Sequence, residues 1–238
     1  MPTTADTHGP SGNRLLARLP RDEYERILPH LERVSFSLGE VVYESGGQMA
    51  HVYFPTNAII SLLYVMENGS SAEMGMAGNE GLVGVALFMG GDTMPNRAVV
   101  QSAGDAVRMR AKLLQGEFKR GGAFQRLLLR YTQALITQMS QTAVCNRLHT
   151  IEQQLCRWLL LSRDRLDSDE LVMTQELIAN MLGVRREGVT AAAGRLQEQG
   201  LIGYVRGRIR ILDRPGLEAV VCECYRVVKD EYERLLGS

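Results

Sequence analysis

The sequence predicts an α+β chain in which a front half of short strands leads into one long helix and then into a two-helix unit closed by a strand pair. Three features carry this expectation. From Val34 to about Met109, apolar and aromatic residues tend to recur with period two. From Phe124 to about Asn146 they recur at the three- and four-residue spacing of a helix. From Thr174 onward a cap, a small residue and a glycine stand where two helices joined by a tight turn need them.

Composition bounds the classes open to this chain. Its 238 residues, 45% hydrophobic and 23% charged, suit a globular protein of two modest domains. Met1 to Leu19 lacks the apolar core of a secretory signal, and no run of apolar residues is long enough for a membrane helix, so a cytoplasmic protein is expected. Cys145, Cys156, Cys222 and Cys224 fall in apparently helical segments without paired C-x-x-C spacing. They are therefore expected to be packing thiols, with no disulfide framework and no metal site. Formal net charge is zero, yet residues 185–214 hold seven arginines and three acids, a local net of +4. Phosphate recognition requires a basic face and makes no demand on the total.

The elements follow in order. The first dozen residues, rich in Thr, Gly, Pro and Ser, are expected to form a disordered tail. Leu15, Leu16 and Leu19, then Tyr24, Ile27, Leu28 and Leu31, have the spacing of short amphipathic helices. Val34-Phe36-Leu38, Val41-Tyr43, Val52-Phe54, the Ile59 to Val65 run and the Ala98 to Met109 region are strand-like and separated by Gly, Asn and Pro, as in a sandwich or jelly roll. Asn68-Gly69 predicts a type I′ hairpin turn into Ala72 to Met76. The glycines from Gly75 to Gly91 serve tight turns in preference to ligand approach. The Phe124 to Asn146 helix would be a rod of about 35 Å, too long for one small core. Its subset Leu129, Thr132, Ile136, Met139 and Ala143 fits a seam for pairing with a second copy.

The chemistry lies further on. Ile151, Leu155, Trp158, Leu159 and Leu160 form the stripe of another helix. Thr174 can cap the next one, Ile178 and Leu182 face a core, and Ala179 allows close helix approach. Gly183 falls where the turn needs positive φ, and Val189 and Ala192 pack the second helix on the first. Leu201 to Val205 and Ile209 to Leu212 then flank Arg206-Gly207-Arg208, the form of a wing hairpin with a basic tip. Asp213-Arg214-Pro215-Gly216 starts a further helix whose apolar stripe runs from Leu217 to Leu235.

With these motifs the chain resembles the Crp/Fnr superfamily of bacterial transcription regulators. The resemblance rests on Val34-x-Phe36-x-x-Gly39-Glu40-Val41-Val42-Tyr43-x-x-Gly46, Tyr53-Phe54 and Asn68-Gly69 in the front half. In the back half it rests on Gly183-Val184-x-Arg186-Glu187-x-Val189 and Glu198-x-x-Gly200-Leu201-Ile202. It implies a tail over 1–13, a double-stranded β-roll (jelly roll) sensor domain over 14–122 and a dimerisation helix over 123–147. A winged helix-turn-helix over 148–214 and a helical extension over 215–238 complete the chain. The implied partners are double-stranded DNA with a palindromic operator, a second copy of the chain and, as a further candidate, RNA polymerase. The family's base-reading pair falls on Arg186 and Glu187, which suit guanine and cytosine edges, with Thr190 one turn on. Thr174, Gln175, Arg185, Arg206, Arg208 and Arg210 are candidates for phosphate contacts.

The sequence also departs from the family. Where cyclic-AMP-binding members carry their phosphate-pairing Arg-Ser, this chain has Met94-Pro95, and Leu82 replaces the ribose-binding glutamate. Glu80 and Arg97 could only be rearranged substitutes; an ordinary surface role suits them better. Cyclic AMP is therefore not expected to bind; the sensor domain is expected to answer to a ligand the sequence does not name, with ligand-independent DNA binding or another nucleotide such as cyclic di-GMP as the alternative. No cysteine precedes Cys145, so the family's iron–sulfur route is absent, and His51 and His149 look isolated, so no cofactor is expected. An enzyme of cupin type would need a His/Glu metal set, and His8, His30, His51 and His149 are scattered singly.

Overall fold

In the computed structural model, which describes residues 12–166 and 168–237, each strand-like segment of the front half contains a strand. These are β1 (Glu32–Phe36), β2 (Val41–Tyr43), β3 (His51–Pro55), β4 (Ile59–Val65), β5 (Ser71–Ala77), β6 (Arg97–Ser102) and β7 (Gly104–Arg110). The helices before Val34 reduce to α1 (Arg21–Ile27) flanked by short 3-10 turns. Two further helices, α2 (Ala86–Met89) and α3 (Ala111–Arg120), precede the long α4 (Gly122–Leu148).

The chain divides into two compact units. The first runs to Ile60 and resumes over Ala77–Thr132; the second takes Ser61–Met76 and the chain from Gln133. Compactness thus cuts differently from the domain limits expected at 122 and 147, because the β4–β5 hairpin is joined to sequence far downstream.

In the first unit, β1, β7 and β3 form an antiparallel sheet with Val34 opposite Ala106 and Phe54 opposite Val107. Alternation along β3 buries Val52 and Phe54 while Tyr53 stays half-buried. β2 pairs with β6 through a register shift between Val41 and Tyr43. Of the expected tail, residues 1–11 lie outside the described residues, but Asn13 is buried. Its amide donates to the Pro55 and Gly81 carbonyls at 2.8 and 2.9 Å, and its Oδ1 accepts from the Leu15 and Leu16 amides. A packed, saturated asparagine is structure rather than tail.

In the second unit, β4 and β5 are neighbours in a sheet. The type I′ expectation for their turn is corrected: Gly69 has φ +83°, but Asn68 is not in the left-handed region. The Gly69 amide donates to the Met66 carbonyl at 2.9 Å and the Met66 amide to the Ser70 carbonyl at 2.8 Å. This is a three-residue loop with glycine at the left-handed position. Asn68 instead accepts from the Ser70 amide through its side chain, a local bond asparagine makes readily.

Behind the hairpin stands α5 (Ile151–Arg163), started by a capping box between Thr150 and Gln153. Buried polar groups join the two. Ser61 Oγ donates to Glu73 Oε2 at 2.5 Å, Gln138 Nε2 to the Met76 carbonyl at 2.9 Å, and Arg165 Nη2 to Gln138 Oε1 at 3.1 Å. Arg157, also buried, donates to Thr142 Oγ1 at 3.1 Å. Past the wing, the single expected helix is two, α8 (Arg214–Val220) and α9 (Glu223–Leu236). Asp213 caps α8 by accepting from the Gly216 amide, and Asp164 holds both Arg214 (2.6 Å) and the Tyr225 hydroxyl (2.9 Å), fixing this segment on α5.

Candidate nucleic-acid interface

The helix-turn-helix is built by local rules. α6 (Gln175–Leu182) begins at Thr174, whose hydroxyl accepts from the Leu177 amide at 3.2 Å. It ends at Gly183, with φ 66° and ψ 32°, a left-handed cap that a side chain would strain. α7 (Arg186–Glu198) buries Val189, Ala192, Ala193 and Leu196 and leaves its first turn in solvent. At Gly188 a Cβ would stand 2.7 Å from Ile151 Cδ1, so the absent side chain lets α7 close on α5.

The wing consists of β9 (Ile202–Val205) and β10 (Arg208–Ile211), with β8 (Glu170–Val172) on the other edge of β10. Its tip, Arg206-Gly207, has φ of 49° and 76°, the geometry of a type I′ turn, and Arg208 pairs in register with Val205. Alternation along β10 buries Ile209 and Ile211 and turns Arg208 and Arg210 outward.

An open cleft of about 320 Å³ draws these pieces together: Thr174 and Gln175 from the start of α6, Arg186 from the start of α7, and Tyr204, Arg206 and Gly207 from the wing. Arg186 and Glu187 are exposed on the first turn of α7, beside the exposed cap residue Arg185. Thr190 is exposed, but its hydroxyl lies 2.7 Å from Gln175 Oε1 and 3.0 Å from the Arg186 carbonyl. Its single proton serves one of these at a time, so Thr190 ties α7 to α6 as well as facing solvent. Arg208 is engaged by Glu170 at 2.5 Å. Tyr204 escaped the sequence reading. Its hydroxyl donates to the Met173 carbonyl at 2.8 Å, and burial pushes the phenol above its usual range, with Arg186 opposing.

Along α4 the seam expected from sequence is only partly open. Leu129 and Ile136 are 49% and 56% exposed, Met139 is half-buried and Ala143 exposed. Thr132 is corrected: it is 8% exposed, its hydroxyl donating to the Leu128 carbonyl inside its own chain. Val144 and Leu148 add exposed apolar surface toward the end of the helix.

Of the residues that the resemblance would set at a nucleotide site, Leu82 is buried, Arg97 pairs with Glu44 at 3.1 Å, and Glu80 accepts from the Gly78 amide. A Cβ at Gly81 would meet the Tyr131 ring at 2.1 Å, so this glycine serves packing. The reading of the cysteines as scattered packing thiols holds for Cys156, whose thiol burial pushes up to about 12. Cys145, Cys222 and Cys224 are buried free thiols as well, and they also converge with His149. Local spacing pairs the donors two by two, Cys145 with His149 and Cys222 with Cys224, but the 77 residues between Cys145 and Cys222 hide that the two pairs meet.

Residues 153–220 match the Crp-like helix-turn-helix domain. No curated protein matches the chain by sequence. Among solved structures, FixK2 from Bradyrhizobium japonicum superposes with a TM-score of 0.69 at 16% identity, covering 81% of this chain and 98% of its own. A transcriptional regulator of the CRP family from Thermus thermophilus gives 0.64 at 16% identity, with 87% and 97% covered. The c-di-GMP responsive global regulator CLP of Xanthomonas campestris gives 0.64 at 15%, with 81% and 99% covered. At such identities the likeness establishes a shared fold: β-sheets, a long helix and a C-terminal helix-turn-helix. No helix among the described residues is long and apolar enough to cross a membrane.

Proposed function

We propose that this chain, a Crp/Fnr-family transcription regulator with a Crp-like helix-turn-helix, works as a homodimer that reads a palindromic operator in the major groove. The observation that carries the reading is the cleft shared by the start of α7, the cap of α6 and the wing tip. There Arg186 stands between a hydroxyl-capped helix start and an arginine-bearing turn. In this reading Arg186 and Glu187 meet base edges, with Thr190 beside them, while Thr174, Gln175, Arg185, Arg206, Arg208 and Arg210 meet phosphates. The exposed Leu129, Ile136 and Ala143, with Met139, support pairing of α4 with its copy, since so much apolar surface on a rod calls for cover. RNA polymerase remains a proposed second partner through the family alone.

Cyclic AMP is not the effector in this reading, because a buried leucine and Met94-Pro95 stand where the ribose and phosphate contacts belong. The sensor domain then answers to a ligand of another kind, or DNA binding is ligand-independent; the likeness to a c-di-GMP responsive regulator makes that dinucleotide the first to try.

The deciding experiment is a binding titration of Arg186→Ala on an operator duplex and a scrambled duplex at two salt concentrations. The variant loses about 1–3 kcal/mol on the operator and little on the scrambled duplex. Equal loss on both makes Arg186 a phosphate anchor and defeats the assignment of the reading residues.

A further inference from the structure

The end of α4 and the junction of α8 with α9 meet at a group of side chains that DNA recognition does not use. Cys145 and His149 are one helical turn apart, the His149 amide donating to the Cys145 carbonyl at 3.0 Å, so both project from the same face. Cys222 is the N-cap of α9, and Cys224 is its second residue. Three sulfurs and one ring nitrogen therefore converge, all within 4.8 Å of one another, and the three cysteines are buried.

The edge lengths are informative. Cys145 Sγ lies 3.6 Å from Cys222 Sγ, and Cys224 Sγ lies 3.5 Å from His149 Nδ1. Zinc binds thiolate at about 2.3 Å and imidazole at about 2.0–2.1 Å in a tetrahedron, whose edges are then about 3.8 Å between sulfurs and about 3.6 Å from sulfur to nitrogen. Two of the six edges already match that tetrahedron, and the remaining four, none longer than 4.8 Å, need only a modest contraction around the ion. A disulfide would need its sulfurs at about 2.05 Å, and it would leave the histidine unexplained.

The surroundings supply a second, independent observation. His149 turns Nδ1 toward the sulfurs, and its other ring nitrogen, Nε2, faces Glu223 Oε2 at 3.4 Å. A metal-bound histidine characteristically donates its second N–H to a carboxylate, which fixes the tautomer and aims the ligating nitrogen. Gln154 Nε2 also donates to the His149 carbonyl at 3.0 Å, pinning the backbone behind the ring. Three thiolates and a dication sum to one negative charge, and the buried Arg157 guanidinium acts on Cys145 and Cys224 with the opposite sign.

We propose that Cys145, His149, Cys222 and Cys224 form a Cys3His site for a single zinc-class divalent cation. Thiolate-rich donors select zinc over the hard cations, and four protein ligands make a closed, structural site with no position left for substrate. Binding releases the three thiol protons to solvent, and His149 enters neutral, bonding through Nδ1 while Nε2–H donates to Glu223. The ion clips the α8–α9 junction to the α4–α5 corner, the point where the chain turns into its DNA-binding helices.

The test uses the full chain, purified under reductant from zinc-supplemented medium. Elemental analysis is expected to give one zinc per chain. Exchange with cobalt chloride is expected to give the strong visible bands of tetrahedral cobalt with thiolate charge transfer. Cys222→Ser and Cys224→Ser lose both signals, and Cys156→Ser, equally buried but outside the group, keeps them. Because a ligand variant can also unfold, Glu223→Gln supplies the second reading: it keeps one zinc but loses it to a competing chelator with about 10–100-fold weaker affinity. Wild-type chain that carries no zinc and takes up no cobalt overturns the proposal. So does metal loss in Cys156→Ser equal to that in Cys224→Ser, or a Glu223→Gln affinity equal to wild type.

Discussion

Glu73 carries a buried carboxyl group, and its replacement by glutamine has a calculable effect. Burial, the largest influence, pushes its pKa from an ordinary 4.5 up to about 7, while the Ser61 hydroxyl and the Arg157 and Arg165 guanidinium groups pull the other way. Because the folded chain holds this proton more tightly than the unfolded chain, the native state carries the extra proton between about pH 4.5 and 7. Stability then falls as pH rises. The contribution is complete below 4.5 and lost above 7. At about 1.4 kcal/mol per pKa unit, the span from 4.5 to about 7 amounts to at most ~3.5 kcal/mol. Glutamine keeps the shape and cannot ionise. Glu73→Gln is therefore expected to match wild type near pH 4, to exceed it by about 1 kcal/mol at pH 5 and by up to ~3 kcal/mol at pH 8. The assay is urea unfolding at fixed protein concentration across this range, taking the difference between the two proteins so that groups they share cancel. A difference that stays constant from pH 5 to 8 would refute the idea that the buried carboxyl is protonated at the acid end and charged at the other.

Further outcomes follow from the same coordinates. Ile136→Glu, at an exposed apolar position of α4, is expected to convert a dimer to monomer in sedimentation; persistence of the dimer means that the pairing surface lies elsewhere. Arg208→Ala is expected to weaken binding to all duplexes alike and to lower the salt slope by about one, provided that DNA phosphate displaces Glu170 from this arginine. Gly183→Ala places a side chain at φ 66°, with its Cβ 3.2 Å from Ala72, and is expected to cost about 1–3 kcal/mol in urea unfolding. Calorimetry with cyclic AMP is expected to show weak or no heat of binding; micromolar affinity would mean that the Leu82 and Met94-Pro95 region rearranges around the ligand.

The parts of this molecule that were legible in the sequence are those whose rules are local. Thr174, Gly183 and the Arg206-Gly207 tip announce a cap, a helix stop and a hairpin because each acts within a few residues. The strands were legible for the same reason, through alternation at sites such as Val52 and Phe54. Helix α3 was missed because its ten residues carry few apolar side chains and lie directly between the last strand and the long helix, with no capping side chain at its start to mark a boundary. Thr132 was misplaced because seam spacing does not tell which copy of the chain a side chain packs on. The convergence of Cys145 and His149 with Cys222 and Cys224 was illegible, since tertiary folding alone joins segments so distant in sequence. Glu73 likewise looks like an ordinary polar strand residue until Ser61 and α5 close over it.

The β4–β5 hairpin, made early in the chain, finds its companions late. Met76 accepts from Gln138, 62 residues on, and from Ser162, 86 residues on. At synthesis rates of about 5–20 residues per second, the hairpin leaves the ribosome roughly 4–17 s before the last of these partners does. During that interval Glu73 has none of the buried surroundings that later hold it, and the free edge of the hairpin is open to pairing with neighbouring nascent chains. The bonds that bury this hairpin can therefore close only after Arg165 has followed Ala77 out of the ribosome.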